Sequence, residues 1–136
     1  MVARLTVALL ALTAVVLAAP AGAKAPEKVS ADLSIRVDMT PRKAAARGTF
    51  ECQGKLRSEK RACENFRTVS LFRIPEGGGK AEVLGDYETP GNGKWSILVF
   101  ANSDGTYFAT TPKVNLPSGT ICKRARSKDL VRDVMP

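Results

Sequence analysis

"ETPGNGKWSILVFANSDGTYFATT", residues 88–111, alternates glycine turns with apolar runs. The turns Pro90-Gly91-Asn92-Gly93 and Asn102-Ser103-Asp104-Gly105 bracket Lys94-Trp95-Ser96-Ile97-Leu98-Val99-Phe100-Ala101, which is rich in β-branched and aromatic side chains. Such side chains suit a pleated, packed surface, and a run of this length bounded by Gly, Pro and Asn reads as a strand. Large residues fall on both of its faces, so the strand is expected to be covered on both sides or central in its sheet. Thr106–Thr111 is expected to be its hairpin partner, because Gly105 can take the positive φ that tight hairpins require. Trp95, Tyr107 and Phe108 are expected chiefly to fill a core. The alternative is an exposed stacking platform for sugars or bases, but single-strand binders interleave such aromatics with basic residues, and only Lys94 lies close.

The same punctuation continues outward. Ser34–Met39 alternates polar and apolar residues, the period of a half-buried strand. In Gly48–Arg57, Phe50, Cys52, Gly54 and Leu56 share one face, opposite Glu51, Gln53, Lys55 and Arg57. Phe66–Ile74 reads as a strand and Ala81–Tyr87 as a weaker one with a bulge at Gly85. Thr40–Arg47 reads as a connection, and Gly119–Cys122 and Asp129–Arg132 close the series. No stretch sustains a helical period. The expectation is an all-β fold, a single Greek-key antiparallel sandwich of seven or eight strands spanning residues 34–134.

The N-terminus reads as an export signal. Arg4 precedes an apolar run of about fifteen residues, Leu5 to Ala19, and Ala21-Gly22-Ala23 supplies small residues for cleavage. The run is shorter than the roughly 18–20 residues of a membrane span. Residues 1–23 are therefore read as a signal peptide cleaved after Ala23, residues 24–33 as a polar leader, and the mature chain as secreted without a transmembrane anchor. The chain carries 21 Lys and Arg against 13 Asp and Glu, a net charge of +8. Only Arg4 among these lies in the signal, so the mature chain keeps +7. Such a surface favours polyanions: acidic glycans, anionic lipid heads and nucleic acid. Histidine is absent. That removes Ser-His-Asp and Cys-His nucleophile pairs and the commonest zinc and copper ligands. No catalytic residue, metal or cofactor is expected.

Three blocks carry a resemblance. Gly54-Lys55-Leu56-Arg57-Ser58, Ala62-Cys63 and Arg67–Arg73 form the first; Gly93-Lys94-Trp95 and Gly105-Thr106-Tyr107-Phe108-Ala109 the second; Cys122–Ser127 the third. Their order and spacing resemble small secreted bacterial domains related to the carboxypeptidase regulatory-like, or transthyretin-like (prealbumin-like), β-sandwich. The resemblance implies a non-catalytic add-on or cell-surface module. The hydroxyisourate hydrolases share a related fold, but their chemistry relies on histidines and a C-terminal tail that this chain lacks. From the residues alone, three pairings of Cys52, Cys63 and Cys122 are open, although Cys52 lies mid-strand beside Phe50 and Leu56. The resemblance implies the pairing Cys63–Cys122, with Cys52 left as a thiol.

That pairing would draw two basic runs together: Lys55, Arg57, Lys60 and Arg61 before Cys63, and Lys123, Arg124, Arg126 and Lys128 after Cys122. These eight residues are the candidate polyanion-binding surface, with an acidic cell-envelope polymer or a secreted protein as partner and nucleic acid not the primary one. Two other motifs fall short. Gly77-Gly78-Gly79-Lys80 lacks the four-residue spacing and following Ser or Thr of a phosphate loop. Asn102-Ser103-Asp104-Gly105 lacks the further oxygens of a calcium loop. The expected function is a secreted non-enzymatic binding or structural module. The alternative is an inhibitor or accessory subunit of a secreted enzyme, inserting the glycine-rich tip at 75–80.

Overall fold

The computed structural model describes residues 25–38, 50–99 and 104–132. They form an all-β sandwich. Its strands are β1 (Lys28–Val29), β2 (Ala31–Leu33), β3 (Arg36–Asp38), β4 (Phe50–Ser58), β5 (Thr68–Pro75), β6 (Glu82–Glu88), β7 (Lys94–Val99), β8 (Gly105–Thr111), β9 (Val114–Asn115), β10 (Ile121–Cys122), β11 (Ala125–Arg126) and β12 (Leu130–Arg132). A 3-10 turn, Arg61–Cys63, separates β4 from β5. In the first sheet, β4 is flanked on one side by β2 and β3 and on the other by β7. In the second, the order is β6-β5-β8, with β11 and β12 along the far side of β8. A small third sheet, β1-β10-β9, closes one end.

The period-2 pattern places one face of each sheet inward. Leu33, Phe50, Cys52, Leu56, Val69, Leu71, Trp95, Ile97, Val99, Tyr107 and Ala109 form one buried cluster between the sheets. Phe50 meets Tyr107 edge to face across it, centroids 5.5 Å apart, a favoured aromatic geometry. Phe108 points the other way, to the outer side of the second sheet, and stacks on Phe72 at 5.2 Å.

Four sequence expectations are corrected. The 94–101 and 106–111 strands are not hairpin partners: β7 pairs with β4 and β8 with β5, in opposite sheets. Glycine chemistry in the 102–105 turn licenses a reversal but does not dictate that the strands stay in one sheet, and residues 100–103 lie outside the described part. Nor is β7 central. Among the described residues it pairs only with β4, and its outward Lys94 and Leu98 are exposed. Residues 28–33 are not a loose leader, since β1 pairs with β10 and β2 with β4. The polar residues there hide an alternation in which Val29 and Leu33 are buried. Finally, the expected seven or eight strands become twelve segments among the described residues, because two flanking ribbons are broken and the short β1 and β9 are added.

Those breaks have a shared chemistry. Between β2 and β3, Ser34 donates its N–H to the Lys55 carbonyl (3.0 Å), and its hydroxyl accepts the Lys55 N–H (2.9 Å). Between β11 and β12, Ser127 donates its N–H to the Ala109 carbonyl (2.9 Å), and its hydroxyl accepts the Ala109 N–H (2.8 Å). Each serine keeps the central strand's backbone satisfied where the flanking strand turns away. The bulge expected at Gly85 is present beside it: Leu71 faces Gly85 and Phe72 faces Val83, leaving Leu84 as the extra residue.

Candidate functional site

The outward residues of the first sheet build a basic surface. Odd-numbered residues of β4 face out, and register brings their neighbours alongside. Lys55 sits opposite Lys94, Gln53 lies between Arg36 and Ser96, and Arg57 sits opposite Asp32. Like charges directly opposite each other in an antiparallel pair are destabilising, so Lys55 and Lys94 raise the local potential at some cost to the sheet. A hollow of about 550 Å³ opens over this face, lined by Ser34, Arg36, Glu51, Gln53, Gly54, Lys55, Arg57, Tyr87, Lys94, Trp95 and Ser96. Four of these side chains are cations and one, Glu51, is an acid, which accepts a hydrogen bond from the Ser96 hydroxyl. Arg36, Lys55, Arg57 and Lys94 make no ion pair among the described residues, although Asp32 lies opposite Arg57.

One backbone detour shapes the hollow. The Ser34 carbonyl turns over Gly54 and accepts the Trp95 indole N–H at 3.2 Å. A Cβ on Gly54 would lie 1.9 Å from the Ser34 oxygen and 2.7 Å from Trp95 Nε1. Only glycine lets these three groups meet, and Trp95 itself is 2% exposed.

The disulfide links Cys63 to Cys122 across 59 residues, with a Cα–Cα distance of 5.4 Å. Val29 and Leu116 pack around it. Cys52 is a buried thiol of the main core. Yet the eight cations expected to share this end do not converge. Lys55 and Arg57 project from the outer face of the first sheet. Lys60 pairs with Glu27 and lines a hollow bounded by Ala62 and Ser118–Thr120. Lys123 and Arg124 flank a third hollow with Lys28 and Lys113, and Arg124 also lines a fourth with Arg126, Ser70 and Thr110. Arg126 lies on the outer face of the second sheet, 4.0 Å above the Phe108 ring, and pairs with Asp129 at 2.8 Å. Arg61 and Lys128 are exposed and line none of these hollows. Strand alternation and the sheet change between β4 and β5 separate side chains that a shared cross-link alone suggested were neighbours. Arg36 and Lys94, which complete the first-sheet cluster, escaped the sequence reading because neither sits in a basic run. The alternation around Ser34–Met39 and the Lys94 next to Trp95 were the available signals.

Beside the disulfide lies a buried cation of a different kind. Arg67 is 1% exposed, and its guanidinium donates to the carbonyls of Cys63 (2.9 Å), Pro112 (2.7 Å) and Lys123 (3.1 Å). Burial pushes its pKa down by disfavouring the charged form. Thr89 completes the corner, accepting the Arg67 N–H and donating its hydroxyl to the Glu64 carbonyl. This cluster is a clamp between chain segments and offers no surface to a ligand. The glycine-rich tip is open: Gly77, Gly78 and Gly79 all have positive φ, and a Cβ on any of them would meet nothing within 4 Å. Among the described residues, no group of three or more His, Cys, Asp and Glu is arranged to hold a metal ion.

The sequence matches no protein-family model and no curated protein. Among solved structures, a superoxide reductase in the oxidised state is similar with a TM-score of 0.50 and 10% identity, covering 75% of this chain and 87% of that one. The hypothetical protein PH1083 from Pyrococcus horikoshii OT3 aligns with a TM-score of 0.44 and 11% identity, over 70% of this chain and 84% of that one. Neither is described as a carboxypeptidase regulatory-like or transthyretin-like domain. At these identities the first likeness concerns the fold alone.

Proposed function

We propose that the chain is a secreted, non-enzymatic β-sandwich module that binds acidic polymer at the cell envelope or outside the cell. One observation carries the reading: Arg36, Lys55, Arg57 and Lys94 crowd one sheet face with no ion pair among the described residues. Unneutralised cations on low-dielectric walls focus potential, and an anionic ligand relieves their mutual repulsion. The apolar N-terminal run and the Cys63–Cys122 disulfide support an oxidising, extracytoplasmic location. The missing histidine and the resemblance to carboxypeptidase regulatory-like domains support a binding role over a catalytic one.

The test is retention of the mature protein on beads carrying an acidic polymer, beside a control protein of the same net charge and size. A built site holds the protein to higher salt than the control. Elution of the two at the same salt would reduce the surface to ordinary solvation and overturn the reading.

A further inference from the structure

We infer that the outer face of the first sheet is a binding groove for an acidic polysaccharide laid along β4, a site and ligand class that rest on the polymer-binding reading above. The argument begins with spacing. Lys55 and Arg57 are two residues apart on β4, about 7 Å, and Lys94 lies one strand away, about 5 Å. Arg36 flanks Gln53 on the opposite side. The cations therefore stagger along and across one strand rather than gathering around a point. A compact anion such as a single phosphate could engage only one or two of them. A chain bearing one acid per unit can engage all four in turn.

The remainder of the lining decides between polymers. Gln53, Ser96 and Glu51 lie among the cations. Ser96 donates its hydroxyl to the buried Glu51, and its oxygen together with the Gln53 side chain gives an uncharged polar stretch between the cations that suits a ligand rich in hydroxyls. Nucleic acid would call for exposed rings on which bases stack. Here Trp95 is 2% exposed, with its indole N–H already bonded to Ser34, and Tyr87 stands at the rim at 36%. A lipid surface is flat, whereas these residues line a concavity. The combination of staggered cations, hydroxyl partners and a single rim aromatic fits a uronic-acid type of polymer.

Calorimetry of the mature protein against polygalacturonate, its methyl ester, single-stranded oligodeoxythymidylate and phosphatidylglycerol vesicles tests this. Polygalacturonate should bind, with affinity falling as salt rises, and the uncharged ester should bind at least tenfold more weakly. Lys55→Gln with Lys94→Gln should weaken polygalacturonate binding at least tenfold and flatten its salt dependence. Lys55→Arg with Lys94→Arg should retain binding, which separates charge from any folding defect. Gln53→Ala should weaken binding about threefold with the salt dependence unchanged, as for a lost neutral hydrogen bond. Lys123→Gln with Arg124→Gln should stay within twofold of wild type. If the Lys123 and Arg124 pair carries the loss instead, the groove assignment falls while polymer binding stands. Tighter binding of the oligonucleotide or the vesicles overturns the ligand class. Failure of the wild-type protein to bind any of the four overturns this inference and the proposed function together.

Discussion

Replacing Arg67 by methionine tests how one end of the sandwich is held. The guanidinium bonds three backbone carbonyls, on Cys63, Pro112 and Lys123. These belong to two segments, the 3-10 turn and the 112–123 stretch, that the disulfide also joins. A hydrogen bond from a charged donor contributes about 1.5–3 kcal/mol. Three would total about 4.5–9 kcal/mol, but two corrections reduce the loss. Methionine removes the desolvation cost that lowers the Arg67 pKa. The Pro112 and Lys123 carbonyls lie at part-buried contacts that water can reach. The expected net loss is about 3 kcal/mol, and at roughly 4 °C per kcal/mol the melting temperature falls by about 12 °C. The lowered pKa does not make this contribution pH-dependent near neutrality. The desolvation penalty holds at every pH below the folded-state pKa and is relieved only as pH rises through it, and arginine stays charged throughout the neutral range. The single tryptophan, Trp95, lies in the core, so its fluorescence reports denaturant unfolding directly. A double-mutant cycle with Cys63→Ser sharpens the test, because two restraints on the same closure should be coupled by about 1 kcal/mol. A loss within 0.5 kcal/mol of zero, or strict additivity with the cysteine variant, would refute the clamp.

Three further outcomes are expected. The Cys63→Ser change alone should cost roughly 4 kcal/mol in the chain-entropy estimate for a loop of this length, and peptide mapping should leave Cys52 as the thiol in the wild-type protein; a Cys52–Cys122 link would contradict this. Gly54→Ala should cost about 3 kcal/mol or more, at the upper end of overpacking penalties, because the new methyl meets the Ser34 carbonyl and the Trp95 indole; a variant as stable as wild type would show that the Ser34 detour is dispensable. Mass spectrometry of exported protein should place the N-terminus at Lys24, and an intact Met1 in the cytoplasm would sink the extracellular reading.

The legible part of the fold was the part governed by alternation. Phe50, Cys52 and Leu56 on one side of β4, with Lys55 and Arg57 on the other, follow from the two-residue period alone. Pairing is a different matter, because it depends on which sheet a turn delivers the next strand to. Gly105 with a φ of 150° sits where a Cβ would be 2.4 Å from the Ile74 carbonyl. Its need for glycine therefore comes from close approach to β5 and not from a hairpin to β7. The same glycine signal suits both cases, so the sequence could not choose. Charge was misread for a related reason. A run such as Lys123-Arg124-Ala125-Arg126 is conspicuous in one dimension, but along β11 and its approach it divides between two hollows, Lys123 and Arg124 lining one and Arg124 and Arg126 the other, both away from the outer face of the first sheet. Arg36 and Lys94, 58 positions apart, are brought to the two flanks of β4 by register.

The groove and the core share one structural decision. An unbroken flanking strand would run its backbone straight past β4 and leave Trp95 Nε1 buried without an acceptor, a cost of about 1–3 kcal/mol. Breaking the ribbon at Ser34 supplies that acceptor, and the Ser34 hydroxyl repairs the ladder at Lys55 that the break would have opened. The same break brings Ser34 into the lining beside Lys55, and it requires glycine at position 54, where any side chain would fill the approach. The outward cations are thus mounted on the segment of β4 that the Ser34–Trp95 hydrogen bond and the close approach over Gly54 tie to the core. A basic surface carried on a frayed edge would lose its spacing with every local opening. Here the Lys55 backbone N–H and carbonyl are both bonded to Ser34, and Lys94 is held opposite by the β4–β7 ladder. Charges fixed in this way can discriminate between polymers by the spacing of their acids, whereas mobile charges would respond only to charge density.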